Sequence, residues 1–405
     1  MRILALSSTY PKSKNLDGAP PFMHHIYKNI AIKGNKIRVL APHAHGIKTK
    51  ELIDDIEIFR FRYFFPTRLQ KLCYSIMPNI QRNPLLFIQL PFLLASEFYA
   101  LNKHIKEFKP DMIHICWIIP QGFVSAVASY FYNTPMYLTT HGGDMFPFKK
   151  NLLFLKKIYK WIISRHVKIS AVNPIFVNEL NELGFNNKTS FIPNGVDPLI
   201  FNRKNINKEY ISHLKRKCFI DKNSQIVLFV GRLSEKKGVS YALRAVWKIS
   251  ETHKNIRFLI VGDGEQREKL EDEAKKLKLK NVYFLGWVPN NKLPSIYSIS
   301  DIFVAPSLTT KSGDREGFPS TILEAMVMKV PVATTNIDGI DKIFSNRVNI
   351  MISKQKSVKR LSRNIIELLN NSKLRDTIIK TAYKDALKKY SWDNVARQYI
   401  EFFQK

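Results

Sequence analysis

At 405 residues, 45% of them hydrophobic and with Gly and Pro interspersed, the chain is long enough for two domains with separate cores, and its composition excludes a disordered protein. Lys and Arg number 64 against 33 Asp and Glu, a net charge of +31. That excess implies an anionic partner (nucleic acid, an anionic membrane face or phosphorylated ligands), and a solvated surface in a Lys-, Asn- and Ile-rich chain accounts for it equally.

Cys73, Cys116 and Cys218 are scattered, with neither metal-ligand nor Cys-x-x-Cys spacing, which reads as buried or inert thiols in a reducing compartment. Met1–Ser8 has too short an apolar core for a signal peptide and reads as a first strand. No uninterrupted apolar run of about 18 residues occurs, so a membrane-spanning helix is not expected. Leu85 to Leu101, interrupted by Gln89, Pro91 and Glu97, reads as a helix in or on the first domain.

Strands are predicted at Ile3–Leu6, Ile37–Leu40, Met112–Cys116, Met136–Thr140, Val167–Ala171 and Thr189–Ile192, separated by helical patterns. The pattern restarts at Ile226–Val230, Phe258–Val261, Val282–Leu285, Ile302–Ala305 and Pro331–Thr334. Such alternation predicts an α/β chain with two parallel, doubly wound sheets. Pro193-Asn194-Gly195-Val196-Asp197-Pro198 and the lysine-rich stretch after it mark the hinge. The expected division is 1–197, 198–387, and a terminal helix 388–405 that packs on either domain. Two such halves would present their strand-end loops to a shared cleft.

In the second half, a buried strand runs into Gly231-Arg232 and then Lys237-Gly238. A forked guanidinium and a point-charge ammonium five residues apart can converge on a diphosphate, or form surface pairs near Glu235. Gly262-Asp263-Gly264 after the next strand is a weak signal, since such loops are often plain turns. Gly286-Trp287-Val288-Pro289 can bring backbone against a nucleobase, and Trp287 serves equally as a half-buried packing residue. Glu316-Gly317-Phe318-Pro319-Ser320 then leads into a helix carrying Glu324. A glycine turn at a helix start offers N–H groups to an anion, and flanking carboxylates suit sugar hydroxyls. Together these features suggest a nucleotide-sugar site.

These residues resemble the retaining glycosyltransferases of the GT-B fold, specifically glycosyltransferase family 4. The resemblance is carried by Gly231-Arg232, Lys237-Gly238, Gly262-Asp263-Gly264, Phe284-Leu285-Gly286, Pro306-Ser307, Glu316-Gly317-Phe318-Pro319, Glu324-Ala325-Met326 and Val330–Thr334. In the first half, His141-Gly142-Gly143-Asp144 and Ile192–Asp197 match. The order is the family's over essentially the whole chain. It implies that Arg232 and Lys237 neutralise the departing diphosphate, Glu316 holds a sugar hydroxyl, Glu324 binds the ribose, and backbone at Gly317 and Phe318 lines the sugar. His141 is implied beside the reacting centre, as a positioning and charge-stabilising group. Gly231, Gly262, Trp287 and Val288 join the implied donor contacts. Gly18 does so too, within a first loop that keeps one glycine where the family has a pair.

The implied chemistry is transfer from a nucleoside-diphosphate sugar with retention, the leaving phosphate helping to deprotonate the acceptor. The chain has no Asp-x-Asp; Asp54-Asp55 are adjacent and Asp338 and Asp341 three apart, a weak metal signal. Metal-independent catalysis without a cofactor is therefore expected. Two carboxylates also occur in glycosidases, but the Arg/Lys pair would have no purpose there. Acceptor contacts are expected from the first half, at Trp117 and Asp144. The stretch Lys149 to Lys168 is a basic amphipathic helix that suits either a membrane surface or the core, and the run Phe59 to Leu72 adds to the first reading.

The expected setting is cytoplasmic, peripheral on the inner face of the membrane, with a saccharide or lipid-linked saccharide acceptor of surface polysaccharide or lipopolysaccharide synthesis. A nucleotide-sugar epimerase on the same fold is an alternative. A nucleic-acid-binding protein is another, though charge alone supports it and no nucleic-acid motif is found.

Overall fold

The computed structural model describes residues 1–12, 22–74, 76–142, 153–337 and 339–404. They form two compact units, Met1–Asn194 with Trp392–Lys405, and Gly195–Ser391. The divisions fall a few residues from those expected, and a backbone link explains the shift: the Val196 N–H donates to the Tyr390 carbonyl at 2.8 Å, and Val196 bridges to Ser391. That link ties the start of the second unit to the end of its helix Ser372–Tyr390.

The first unit is built on β1 (Arg2–Ser7), β2 (Lys36–Pro42), β3 (Lys50–Ile53), β4 (Ile56–Phe61), β5 (Met112–Cys116), β6 (Met136–Thr140), β7 (Lys168–Ala171) and β8 (Thr189–Phe191). Their order is β3-β4-β2-β1-β5-β6-β7-β8, parallel throughout except for β3 against β4. Strands covered on both faces read as near-continuous apolar runs, which is why β1, β5 and β6 were legible.

The β3–β4 hairpin was not predicted. Its turn is Asp54-Asp55, both with left-handed φ (48° and 60°), the conformation that short Asp side chains tolerate in tight hairpins. Those two aspartates are thus turn residues, and Asp54 accepts from His24 Nε2 at 2.8 Å and pairs with Lys28 at 3.2 Å. Phe59 to Leu72 is a surface run only in part: Phe59 to Phe61 belong to β4, and the fully buried Arg60 guanidinium pairs with Glu51 and donates to the Pro11 carbonyl at 2.8 Å, whereas Arg62, Phe65, Arg68, Leu69 and Lys71 are exposed.

The helix Trp392–Gln404 packs within this first unit. Tyr399 and Phe403 meet the His114 ring, the Tyr137 hydroxyl donates to the Phe403 carbonyl at 2.8 Å, and Trp392 stacks on His25. The apolar stretch expected as a helix runs from Pro84 to Phe108 and is, by length and composition, long enough to cross a membrane. The polar interruptions that argued against such a run are absorbed: Pro91 lies in the first turn of Gln89–Phe108, where its missing N–H costs nothing, and Gln89 and Glu97 lie on the buried face.

The second unit holds β9 (Gln225–Val230), β10 (Ile256–Val261), β11 (Val282–Gly286), β12 (Ile302–Ala305), β13 (Val332–Thr335) and β14 (Met351–Ser353), ordered β11-β10-β9-β12-β13-β14 and all parallel. Three-residue β14 is too short to leave a periodic signal. The order reverses between β9 and β12, so the chain leaves these neighbours in opposite directions and their carboxyl ends open a crevice.

Candidate functional site

That reversal point carries the motif residues of the second unit. From β9 the chain passes through Gly231 and a short turn Glu235–Lys237 into the helix Val239–Ile249; from β12 it passes through residues 306–319 into the helix Ser320–Val327. The two loops are locked together by backbone. The Leu308 N–H donates to the Lys236 carbonyl at 2.8 Å, and a Cβ on Gly238 (φ 64°) would stand 2.1 Å from the Pro306 oxygen. The β10 loop joins them equally tightly, since a Cβ on Gly262 (φ 128°) would stand 1.9 Å from the Gly231 oxygen. Both positions require glycine because of close backbone approach.

Within this frame Lys237 Nζ lies 3.1 Å from Glu316 Oε2, with both side chains largely buried. Burial alone would raise the Glu316 carboxyl, but the ammoniums of Lys237 and Lys236 outweigh it and hold the group below the usual glutamate value, hence ionised. Among the described residues Glu316 Oε1 is buried with no hydrogen-bond partner. Glu324, one turn into its helix, accepts from the Tyr297 hydroxyl at 2.9 Å. Enclosure pushes its carboxyl up to about 7, against the opposing pull of Tyr297 and Lys237. Lys237 therefore acts on both glutamates. The helix Ser320–Val327 carries no acidic residue in its first turn, so its positive end is not neutralised from within.

Sequence reading missed the supports of this pair. Lys236 Nζ lies 3.2 Å from Asp314 Oδ1 and 3.4 Å from the Arg315 carbonyl, bracing the loop that ends in Glu316. Tyr297 lies on a separate helix, Leu293–Ser298, with nothing in sequence to link it to Glu324.

Other expected donor residues are not gathered with Lys237. Arg232 is exposed and its guanidinium pairs with Glu265 at 3.2 Å. The two cations thus end on different carboxylates, because the intervening Leu233 is buried and its N–H is fixed to the Asp263 carbonyl at 2.9 Å. Trp287 projects into solvent, 70% exposed, whereas Val288 is buried. The Phe318 side chain turns inward to the rings of Phe344 and Tyr390, leaving only its backbone for a ligand. Gly317 is half-buried beside it.

In the first unit, His141 follows β6 and Trp117 follows β5. Their rings are 5.0 Å apart, and Phe22 packs on His141 at 4.8 Å. Trp117 holds φ 82°, an unfavourable backbone for a bulky residue, of the kind that concentrates at functional sites. Among the described residues, both His141 nitrogens and Trp117 Nε1 are buried without hydrogen-bond partners. Burial depresses the His141 imidazole to about 3, so it is neutral near pH 7 and can stabilise charge only as an N–H donor. Gly18 and Asp144 lie outside the described residues.

Among the described residues no group of three or more His, Cys, Asp or Glu side chains is placed to hold a metal. Asp341 accepts from Asn336 at 3.0 Å, and Asp338 lies outside the described residues. The basic helix described as Leu153–Ser164 buries Tyr159 and Ile162 and exposes Lys157 and Lys160.

Residues 16–198 match the family model described as Glycosyltransferase Family 4, and residues 211–385 the model described as Glycosyl transferases group 1. The chain is 32% identical over 286 residues to UDP-Gal:alpha-D-GlcNAc-diphosphoundecaprenol alpha-1,3-galactosyltransferase of Escherichia coli, covering 67% of this chain and 68% of that protein. It is 26% identical over 367 residues to TuaC of Bacillus subtilis, named for teichuronic acid biosynthesis, covering 90% and 88%. A match at 32% to an uncharacterized glycosyltransferase of Methanocaldococcus jannaschii spans 54% of each chain, about half the length of that relative. Among solved structures, sucrose-phosphate synthase of Thermosynechococcus elongatus superposes with TM-score 0.77 at 16% identity, covering 100% of this chain and 98% of that one. Anabaena HepE in complex with UDP-glucose gives 0.71 at 19%, covering 100% and 99%. At such identities these likenesses establish the fold, which is GT-B.

Proposed function

The chain belongs to the glycosyltransferase family that those two models describe, and from that membership we propose that it moves a sugar from a nucleoside-diphosphate donor to a saccharide or lipid-linked saccharide, with retention and without a metal ion. The observation that carries this reading is the buried Lys237–Glu316 pair, with Glu324 beside it, at the sheet's reversal point. Lys237 stabilises the diphosphate as the C1–oxygen bond breaks. The unpartnered Glu316 Oε1 accepts a hydroxyl of the transferred sugar, and Glu324 accepts from the ribose diol. Fixed charges of this kind need no reorganisation as negative charge develops on the leaving group. The acceptor oxygen forms its bond to C1 on the face the phosphate leaves, and its proton passes to the departing phosphate.

Arg232 joins the site by exchanging Glu265 for phosphate; an exposed pair of this type is worth only about 0–1 kcal/mol, so the exchange costs little. In the first unit, neutral His141 and Trp117, side by side at the carboxyl ends of β6 and β5, are the residues offered to a saccharide acceptor. A UDP-sugar donor and a lipid-diphosphate-linked acceptor are favoured by the names of the Escherichia coli relative and of HepE. A peripheral setting on the inner membrane face, in surface polysaccharide or lipopolysaccharide synthesis, is the part of this reading that such an acceptor supports.

The test is a panel of UDP-, GDP- and ADP-sugars screened for thermal stabilisation, followed by transfer to saccharide acceptors and assignment of the product anomer by NMR. Product of inverted configuration, or activity lost to EDTA and restored by Mn²⁺ or Mg²⁺, would overturn retention or metal independence respectively. Donor interconversion with no acceptor present would mark an epimerase.

A further inference from the structure

Six large apolar side chains of the first unit are exposed within a short stretch of sequence: Phe65, Leu69, Leu85, Phe87, Ile88 and Phe92, with Phe65 at 85% and Phe87 at 61% exposure. They are not scattered. Phe64 meets Phe92 edge to face at 5.6 Å, and the Gln89 side chain donates to the Leu69 carbonyl at 2.8 Å. Tyr63, Leu72 and Leu93 form a small core beneath, closed over by Leu86 and Leu90. Inward residues thus fix residues 63–72 to the helical run after Pro84, and the outward residues of the same element are left bare. Contiguous apolar exposure of this kind marks an interaction surface.

Charge identifies the partner. Residues 62–96 contain Arg62, Arg68, Lys71 and Arg82, all exposed, and no Asp or Glu. An adjoining groove between β4 and the helix Gln89–Phe108 is lined by Lys50, Arg62 and Lys103 beside Phe59 and Tyr99. A second copy of the chain would bring the same cations face to face. Apolar rings flanked by cations, with no acidic residue in the same stretch, fit a bilayer, where the acyl boundary takes the rings and anionic headgroups the cations. The helix does not cross that bilayer. Leu93, Glu97, Leu101, His104 and Ile105 are buried on its inner face, and spanning would strip that face from the sheet and carry Glu97 into lipid.

We propose that the outward face of Phe65–Leu69 and Leu85–Phe92 is an in-plane docking surface for an anionic bilayer, in preference to the basic helix Leu153–Ser164. It rests on the proposed function only for the benefit of docking, namely access to a lipid-linked acceptor; binding itself needs no transfer chemistry.

The test is co-sedimentation of the full chain with phosphatidylglycerol–phosphatidylcholine vesicles and with pure phosphatidylcholine. The wild type is expected to bind the anionic vesicles. F87D/F92D should lower the bound fraction at least tenfold with an unchanged melting temperature, R68Q/K71Q/R82Q should remove the preference for anionic lipid, and F219D, an exposed apolar position in the second unit, should bind as wild type. No sedimentation of the wild type, undiminished binding of F87D/F92D, or equal loss in F219D would overturn the proposal. So would a wild-type dimer in light scattering that F87D/F92D dissociates, since a second copy would then cover the face. Transfer to a water-soluble acceptor, measured on the same preparations, separates the two readings: docking lost in wild type with transfer intact sinks only the docking surface, and the reverse sinks only the enzymatic reading.

Discussion

Lys237 and Glu316 are 79 residues apart in sequence and 3.1 Å apart in space, joining the loop after β9 to the loop before the helix Ser320–Val327. The pair satisfies one glutamate oxygen and leaves Oε1 buried with no donor among the described residues. A buried acceptor lacking a partner costs on the order of 1–3 kcal/mol, a cost that a bound hydroxyl relieves. The relationship therefore has a structural side and a binding side, which substitution can separate.

Glu316→Gln keeps the shape of the side chain but weakens the bond to Lys237. It should cut turnover at least 100-fold while lowering the melting temperature less than Lys237→Ala does, because the amide oxygen still accepts from the ammonium. Lys237→Ala should cut turnover as far and also destabilise the second unit by about 3–5 kcal/mol, because a buried carboxylate is then left without its counter-charge. Steady-state kinetics with parallel thermal melts checks both, and near-normal turnover in either variant would remove the pair from the site.

Donor affinity should follow the ionisation of Glu324. With its carboxyl near 7, the fraction able to accept two hydrogen bonds from a ribose rises from pH 6 to pH 8, and the affinity for UDP-glucose should rise with it by about tenfold. Nucleotide sugars do not titrate in this interval, so calorimetry across it reports the protein group. Glu324→Gln should bind weakly with a flat profile. Tyr297→Phe removes a hydrogen bond that favours the ionised form and should move the midpoint upward. A flat wild-type profile would contradict the assignment.

Gly262→Ala should be severe, on the order of 3 kcal/mol or more, since its Cβ would stand 1.9 Å from a backbone oxygen that cannot swing aside. Gly34→Ala is the control: φ is 84° there too, but nothing lies within 4 Å, so only the left-handed penalty of about 1–2 kcal/mol applies. Chemical denaturation of the two variants compares them directly.

Glu97, buried on the helix Gln89–Phe108, has its carboxyl pushed up to about 8 by burial, against a weak pull from Gln121. A carboxyl raised in the folded state holds its proton more tightly there than in the unfolded chain. Its contribution is complete below about pH 4.5 and is lost as the pH climbs through about 8. Wild-type stability should therefore fall between pH 5 and pH 9 by an amount on the order of a few kcal/mol, and Glu97→Gln should flatten that slope. Parallel slopes in the two proteins would show that Glu97 is not the group responsible.

Much of the fold was legible because parallel strands buried on both faces carry apolar runs: β1, β9, β10 and β12 each fall on one, β5 is broken only by His114, and β6 opens on Met136-Tyr137-Leu138. The β3–β4 hairpin escaped although Ile56-Glu57-Ile58-Phe59 alternates, since its turn is Asp-Asp with no glycine to mark it. The Pro84–Phe108 helix was read as interrupted because linear sequence does not show that Pro91 sits in a first turn or that Glu97 faces inward. At the site, Lys237, Glu316 and Glu324 could be named from residue type and loop position alone. Tyr297, Asp314 and Lys236 could not, as they carry no motif and act only through contact.

The amino-acid order by itself settles what local forces govern: which segments are strands, where glycine permits two backbones to touch, and which charged residues the loops carry. Tertiary structure decides which charges meet. It pairs Lys237 with Glu316 and Arg232 with Glu265, turns Phe318 inward and Trp287 outward, and leaves His141 neutral. The reason is that pairing and burial depend on distances set by sheet order, and the reversal between β9 and β12 brings together loops that the chain itself holds 79 residues apart.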